Sequence, residues 1–185
     1  MERTVIEYQF EDFNSFIKEI SYGGKYYNIF HPNFIFRGES SDKYKLIPSA
    51  LRVCNKEQIM QLGHCHSLDG RDCNIMRISA EYQILRNFYY SCDGENLYVP
   101  SCCFRNYPID DISFLKMETW IPDDLYEIAG LAQHYGLPTR LLDWSYDIYV
   151  SLYFACIGAL KNIKNNIFNN DNIVLWALNA SKIES

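Results

Sequence analysis

The densest chemistry in the chain lies in the fourteen residues Ala132-Gln133-His134-Tyr135-Gly136-Leu137-Pro138-Thr139-Arg140-Leu141-Leu142-Asp143-Trp144-Ser145. A mere connector has no need of a Gln, a His, a Thr, an Arg, an Asp and a Trp together, and connections that carry concentrated polar groups are where binding and catalytic residues gather. The Arg140 guanidinium can clasp phosphate or carboxylate oxygens with two parallel hydrogen bonds. His134 changes charge near neutrality and so has the chemistry of a general base, although a His in the last turn of a helix is also held there by the helix dipole. Arg140 and Asp143 bracket a two-residue apolar strand, Leu141-Leu142, and charges three apart on extended backbone point to opposite sides. They are therefore not expected to pair as strand neighbours. One is free to serve a site while the other anchors backbone, for example Asp143 capping the helix that starts near Ser145. The alternative for the whole block is a rigid, buried polar network that fixes the core.

A second constellation is Phe36-Arg37-Gly38. A permanently charged Arg at a strand end, next to a residue that allows close backbone approach, suits an anion clamp. The competing reading ties Arg37 to a carboxylate such as Glu39 or Glu81. His64-Cys65-His66 with Cys73 has metal-ligand residue types but no zinc spacing, and no metal is expected.

These groups need elements to hold them. Phe13, Phe16, Ile17 and Ile20 mark one face of a helix over residues 10–20, capped by Asp12 or Asn14 and ended by Gly23-Gly24. Phe34-Ile35-Phe36 reads as a strand delivering Arg37 and Gly38 to its end. Pro48 and Ser49 open a helical turn, and residues 61–75 read as a loop. From Ile75, the spacing of Ile78, Tyr82, Leu85, Phe88 and Tyr89 is helical, with Glu81 and Arg86 on the polar side. Residues 91–110 form an irregular excursion. Pro122-Asp123-Asp124 begins a helix with Leu125, Ile128, Ala129, Ala132 and Tyr135 on its face, stopped by Gly136 and Pro138. A last helix covers Tyr146 to Leu160, with Ile148, Leu152, Ala155, Cys156 and Ala159 on one side. An Asn-rich loop over 162–172 leads to an apolar strand, 173–178. Helices and strands interleave without βαβ rhythm, which predicts an α+β domain: a small mixed sheet flanked by several helices.

The chain has 185 residues, 48% of them hydrophobic, enough for a core and for one domain, read as a lead-in over 1–33 and the domain proper over 34–180. Its net charge of −6 comes without any basic run, which argues against an extended nucleic-acid surface while allowing a pocket for one or two phosphates. Fifteen Tyr and eleven Phe are mostly core material. The first residues have no apolar run of a signal peptide and no stretch reaches the ~18 apolar residues of a membrane helix, so a cytoplasmic protein without membrane contact is expected. Seven Cys, an odd number, fit reduced thiols there.

Phe36-Arg37-Gly38, then Leu46-Ile47-Pro48-Ser49-Ala50-Leu51-Arg52, then Ala132 to Ser145, then Ser151-Leu152-Tyr153-Phe154-Ala155 run in the order found in the FRG domain, which they closely resemble. That family occurs widely in bacteria and their phages and is named for its Phe-Arg-Gly motif. The resemblance assigns no reaction. Its Arg37-Gly38 strand is similar to the arginine-glycine strand of ADP-ribosyltransferase-like enzymes, where such an Arg contacts NAD, and it implies a related fold and pocket. On that reading Arg37, Gly38, Gln133, Thr139 and Arg140 bind a nucleotide or NAD-like ligand, Trp144 or Tyr153 stacks on a ring, and acid–base work falls to His134, Asp143 or Glu81, in an enzyme of bacterial or phage conflict. A second reading keeps the pocket as a non-catalytic sensor. A third makes the motifs a structural network and places function on a surface that meets a partner protein.

Overall fold

A computed structural model describes residues 5–64, 74–102, 104, 120–165 and 171–182. Among them six α-helices and one two-stranded sheet make an α+β fold. The chain divides into two compact units. The first joins residues 1–45 to 143–185, and the second is residues 46–142.

The first unit opens with α1, Phe13–Ile20, whose N-cap is Asp12: its carboxylate accepts the Ser15 N–H. The helix ends at Ser21 rather than at the glycines, and Gly24 caps a second helix, α2, Lys25–Phe30, which the pattern did not reveal. Six residues give too little periodicity to register. What α2 contributes is aromatic mass. Tyr26 stacks on Phe30, and Phe30 meets Phe36 edge-on, so the helix is welded to the following strand by rings.

That strand is β1, Phe34–Glu39, which pairs antiparallel with β2, Val174–Asn179. The expected mixed sheet is thus a two-stranded antiparallel one. Phe36 also exchanges both backbone hydrogen bonds with Ser145, an isolated bridge along the other edge of β1. Arg37 and Gly38 accordingly lie inside the strand and not at its end. The last helix, α6, spans Ile148–Lys164 and packs against β1. Its cap is Asp147, whose Oδ1 accepts from the N–H groups of Tyr149 and Val150, so the capping role expected of Asp143 falls four residues later. Small residues make the contact close: a Cβ on Gly38 would stand 1.9 Å from the Ser151 carbonyl oxygen, and Ser151, Leu152 and Ala155 are buried there. Beyond the strand, the Asp171 carboxylate accepts from the Ser41 hydroxyl and pairs with Lys43, and that hydrogen bond and charge raise the Lys43 pKa.

The second unit is helical. A short 3-10 turn at Ser49–Leu51 leads to α3, Lys56–Leu62, which takes the start of the expected 61–75 loop. Helix α4 covers Asn74–Gly94, and α5 covers Tyr126–His134 after a 3-10 turn at Asp123–Leu125. The α4 and α5 faces meet over Leu85, Tyr89, Leu125, Ile128, Ala129 and Ala132, with Cys102, Phe104 and Ile121 closing the same cluster. Ala50, Ile59, Ala80 and Ile84 form a second cluster. Gly136 stops α5 with φ +86°, the left-handed conformation that favours glycine. Tyr135, expected on the buried face, is exposed because the helix has ended before it. Leu141-Leu142 is irregular backbone and not a strand.

Candidate functional site

Within the first unit the side chain of Arg37 is held at two points, through two of its five N–H donors. Its Nε donates to Glu39 Oε1 at 2.8 Å and its Nη1 to the Asp143 carbonyl at 3.0 Å. The pairing is local: residues i and i+2 of a strand share a face, so Arg37 and Glu39 emerge side by side from β1. Directly across the sheet from Arg37 sits Trp176, and cross-strand partners also share a face. Its indole nitrogen is buried and has no hydrogen-bond partner among the described residues. Gly38 belongs to the opposite face, pressed on α6. The motif thus divides its labour. The glycine lets the helix approach, and the arginine crosses to the other side of the sheet.

Asp143 contributes its main-chain oxygen to this cluster. Trp144 is half-buried beside the Ser145 bridge. Tyr153 stands on α6 with its ring exposed, edge-on to Phe154.

In the second unit Arg140 lies side-on against Glu81, with Nε 2.8 Å from Oε2 and Nη2 3.1 Å from Oε1. The indole N–H of Trp120 donates to the same Oε2, and the Trp120 ring lies 6.0 Å from the Arg140 guanidinium carbon. Glu81 is buried, whereas the helical pattern had put it on the polar side of α4. A carboxylate can lie inside when a guanidinium and an indole N–H satisfy it. Asn74, at the first turn of α4, accepts from Arg140 Nη2 at 3.4 Å.

Thr139 is the hub of a second network. It is buried, its hydroxyl donates to Gln133 Oε1, and it accepts the Leu141 N–H at 3.3 Å. Its backbone is clasped by the Ser49 turn: the Thr139 N–H donates to Ser49 Oγ at 3.0 Å, and its carbonyl accepts from the Ser49 hydroxyl and the Ala50 N–H. Gln133 is placed by the last turn of α5. His134, in the same turn, is exposed and packs edge-on against Tyr135.

The sequence candidates therefore fall into two groups. Arg37, Gly38, Asp143, Trp144 and Tyr153 belong to the first unit, and Glu81, Gln133, His134, Thr139 and Arg140 to the second. Trp176 and Trp120 were not singled out from the sequence, since strand register and the Trp120–Glu81 contact join residues far apart in the chain. Of the two carboxylates the sequence offered to Arg37, Glu39 is the one it meets. Cys65, His66 and Cys73 lie outside the described residues, and no cluster of three metal-ligating side chains occurs among the described ones. No disulfide joins the described cysteines. No described helix is long and apolar enough to cross a membrane.

No curated protein and no solved structure matches the chain, so neither fold likeness nor activity comes from that direction. A family model for the FRG domain matches residues 32–164, which run from the cis His31-Pro32 peptide through both networks to the end of α6. The chain belongs to the FRG domain family.

Proposed function

We propose that the chain is a binding module for a nucleotide-class ligand, NAD among the candidates, with its polar subsite on the sheet face that carries Arg37, Glu39 and Trp176. One observation carries the reading. Arg37 is pinned by Glu39 and the Asp143 carbonyl, its Nη2 donates to no described residue, and the opposite indole N–H of Trp176 is buried without a described acceptor. Pinned donors beside a buried, unanswered one suit an oxyanion, because a fixed guanidinium loses little freedom on binding. The adjacent Glu39 carboxylate suits hydroxyl groups. A ribose phosphate offers both, hydroxyls to the carboxylate and phosphate oxygens to the guanidinium.

Arg140, Thr139, Gln133 and Glu81 take a different part in this reading. Each is occupied by hydrogen bonds inside the second unit, which favours a scaffold role over ligand contact or proton transfer. The reading is accordingly of binding and not of transfer chemistry.

The test is calorimetric titration of the folded protein with NAD, ADP, AMP and inorganic phosphate, in parallel with Arg37→Ala. Heat with a nucleotide that Arg37→Ala abolishes is the expected result. Absence of heat with all four overturns the proposal.

A further inference from the structure

Helix α6 is apolar on both sides, which is unusual for a helix with one side in water. Its inner side is small and packs on β1, with Ser151 and Ala155 against Gly38, and Gly158 close to Ser40. Its outer side is large. Tyr149, Val150, Tyr153 and Leu160, with half-buried Ile157 among them, follow the i, i+1, i+4, i+8, i+11 spacing of a single helical stripe, flanked by exposed Phe154 and by exposed Tyr146 just before the helix. The exposed members are open by 42 to 81%. At 150–250 Å² for an aromatic side chain and somewhat less for an aliphatic one, the stripe and its flank present roughly 700 Å² of apolar surface. The largest apolar patch of an ordinary monomer is ~300–600 Å².

We infer that this stripe is the seat of a second copy of the same chain, packed antiparallel, α6 against α6. Three features point to a copy. The stripe reads alike in both directions: a two-fold axis at the level of residue 155 sets Tyr153 against Ile157, Val150 against Leu160 and Tyr149 against Lys161, large apolar groups or a ring and a cation at each step. Charge agrees with that direction. The stripe begins beside Asp147 and ends at Lys161 and Lys164, so an antiparallel pair brings each acidic end to a basic one and opposes the helix dipoles, whereas a parallel pair sets like ends together. The area is also of the right order, since a standard interface takes roughly 600–1,000 Å² from each partner.

Sedimentation velocity of the whole chain, from low-micromolar to near-millimolar concentration, tests this. A monomer–dimer equilibrium is expected, shifted to monomer at least tenfold by Tyr153→Lys or Leu160→Lys and weakened by Lys164→Glu. Both lysine replacements are at exposed positions, so the circular dichroism spectrum should persist, and either one serves if the other misfolds. A monomer at every concentration overturns the inference, whether or not the chain captures other proteins. So does a dimer that folded Tyr153→Lys and Leu160→Lys leave intact.

Discussion

Arg140 reaches both oxygens of Glu81, one through Nε and one through Nη2, in a side-on pair whose carboxylate also receives the Trp120 indole N–H. Both charged side chains are shielded, at 16% and 1% exposure. Removing one member of such a pair strands the other charge in a low-dielectric site. Arg140→Ala should lower the unfolding free energy by ~3–5 kcal/mol in urea titration. Arg140→Lys should recover only part, because an ammonium cannot make two parallel bonds. Replacing the pair together, as Arg140→Met with Glu81→Leu, should cost less than Arg140→Ala alone. A double loss equal to the sum of the losses of Arg140→Met and Glu81→Leu alone would show that the pair is not an interacting unit.

Thr139 presents a different test, since its hydroxyl is used on both sides, as donor to Gln133 and acceptor for the Leu141 N–H. Thr139→Val keeps shape and removes both bonds. Buried partners left unanswered cost ~1–3 kcal/mol. Thr139→Ser, which retains the hydroxyl, should lose clearly less in the same denaturation series. A Val variant as stable as the wild type would remove Thr139 from the scaffold.

Close approach of α6 to β1 depends on Gly38. An added methyl would meet a main-chain carbonyl at 1.9 Å, and neither backbone can yield without shifting the helix. Gly158→Ala meets Ser40 Cβ at 2.9 Å and its Oγ at 3.2 Å, a far smaller overlap. Gly38→Ala should therefore destabilise by at least the ~1–3 kcal/mol of ordinary overpacking, and Gly158→Ala by less. Thermal unfolding of the two variants in one buffer ranks them. The reverse order would contradict the packing described.

The fold was legible where periodicity was long or a stop signal strong. Helices α1, α5 and α6 and both strands follow their apolar spacing, and Gly136 ends α5 as its position announces. Helices α2 and α3 were not legible, because six or seven residues carry too few repeats. The candidate residues could be named from the sequence, but their contacts could not. Glu39 was one of two carboxylates the sequence offered to Arg37, yet Glu81 with Arg140, and Trp176 opposite Arg37, arise from packing and register between distant segments. Residue type alone made Thr139 and Gln133 resemble ligand contacts. In the structure Thr139 is buried and donates to the half-buried Gln133.

The helix cap provides a local check on one of those differences. Asp147 accepts from two N–H groups at the start of α6, while Asp143 offers its carbonyl to Arg37. Asp147→Ala should cost about 1 kcal/mol, the ordinary worth of such a cap, and Asp147→Asn or Asp147→Ser should restore most of it. Chemical denaturation separates the three variants. Asp147→Ala without effect would mean that α6 needs no cap.

Trp176 bears most directly on ligand binding. Its N–H is buried on the sheet face of Arg37, so a bound oxygen there would answer it. Trp176→Phe keeps an aromatic ring in a half-buried strand position and deletes only the donor and part of the ring. A ligand that accepts this hydrogen bond should lose ~0.5–1.5 kcal/mol, a few-fold to about tenfold in Kd. Arg37→Lys retains charge but loses the guanidinium fork, and should weaken the same ligand by at least as much. Titration calorimetry on both variants, after circular dichroism has verified their folding, reads the two effects in one experiment. Unchanged affinity in Trp176→Phe together with loss in Arg37→Lys would confine the subsite to the arginine. Unchanged affinity in both would move any ligand off this face of the sheet.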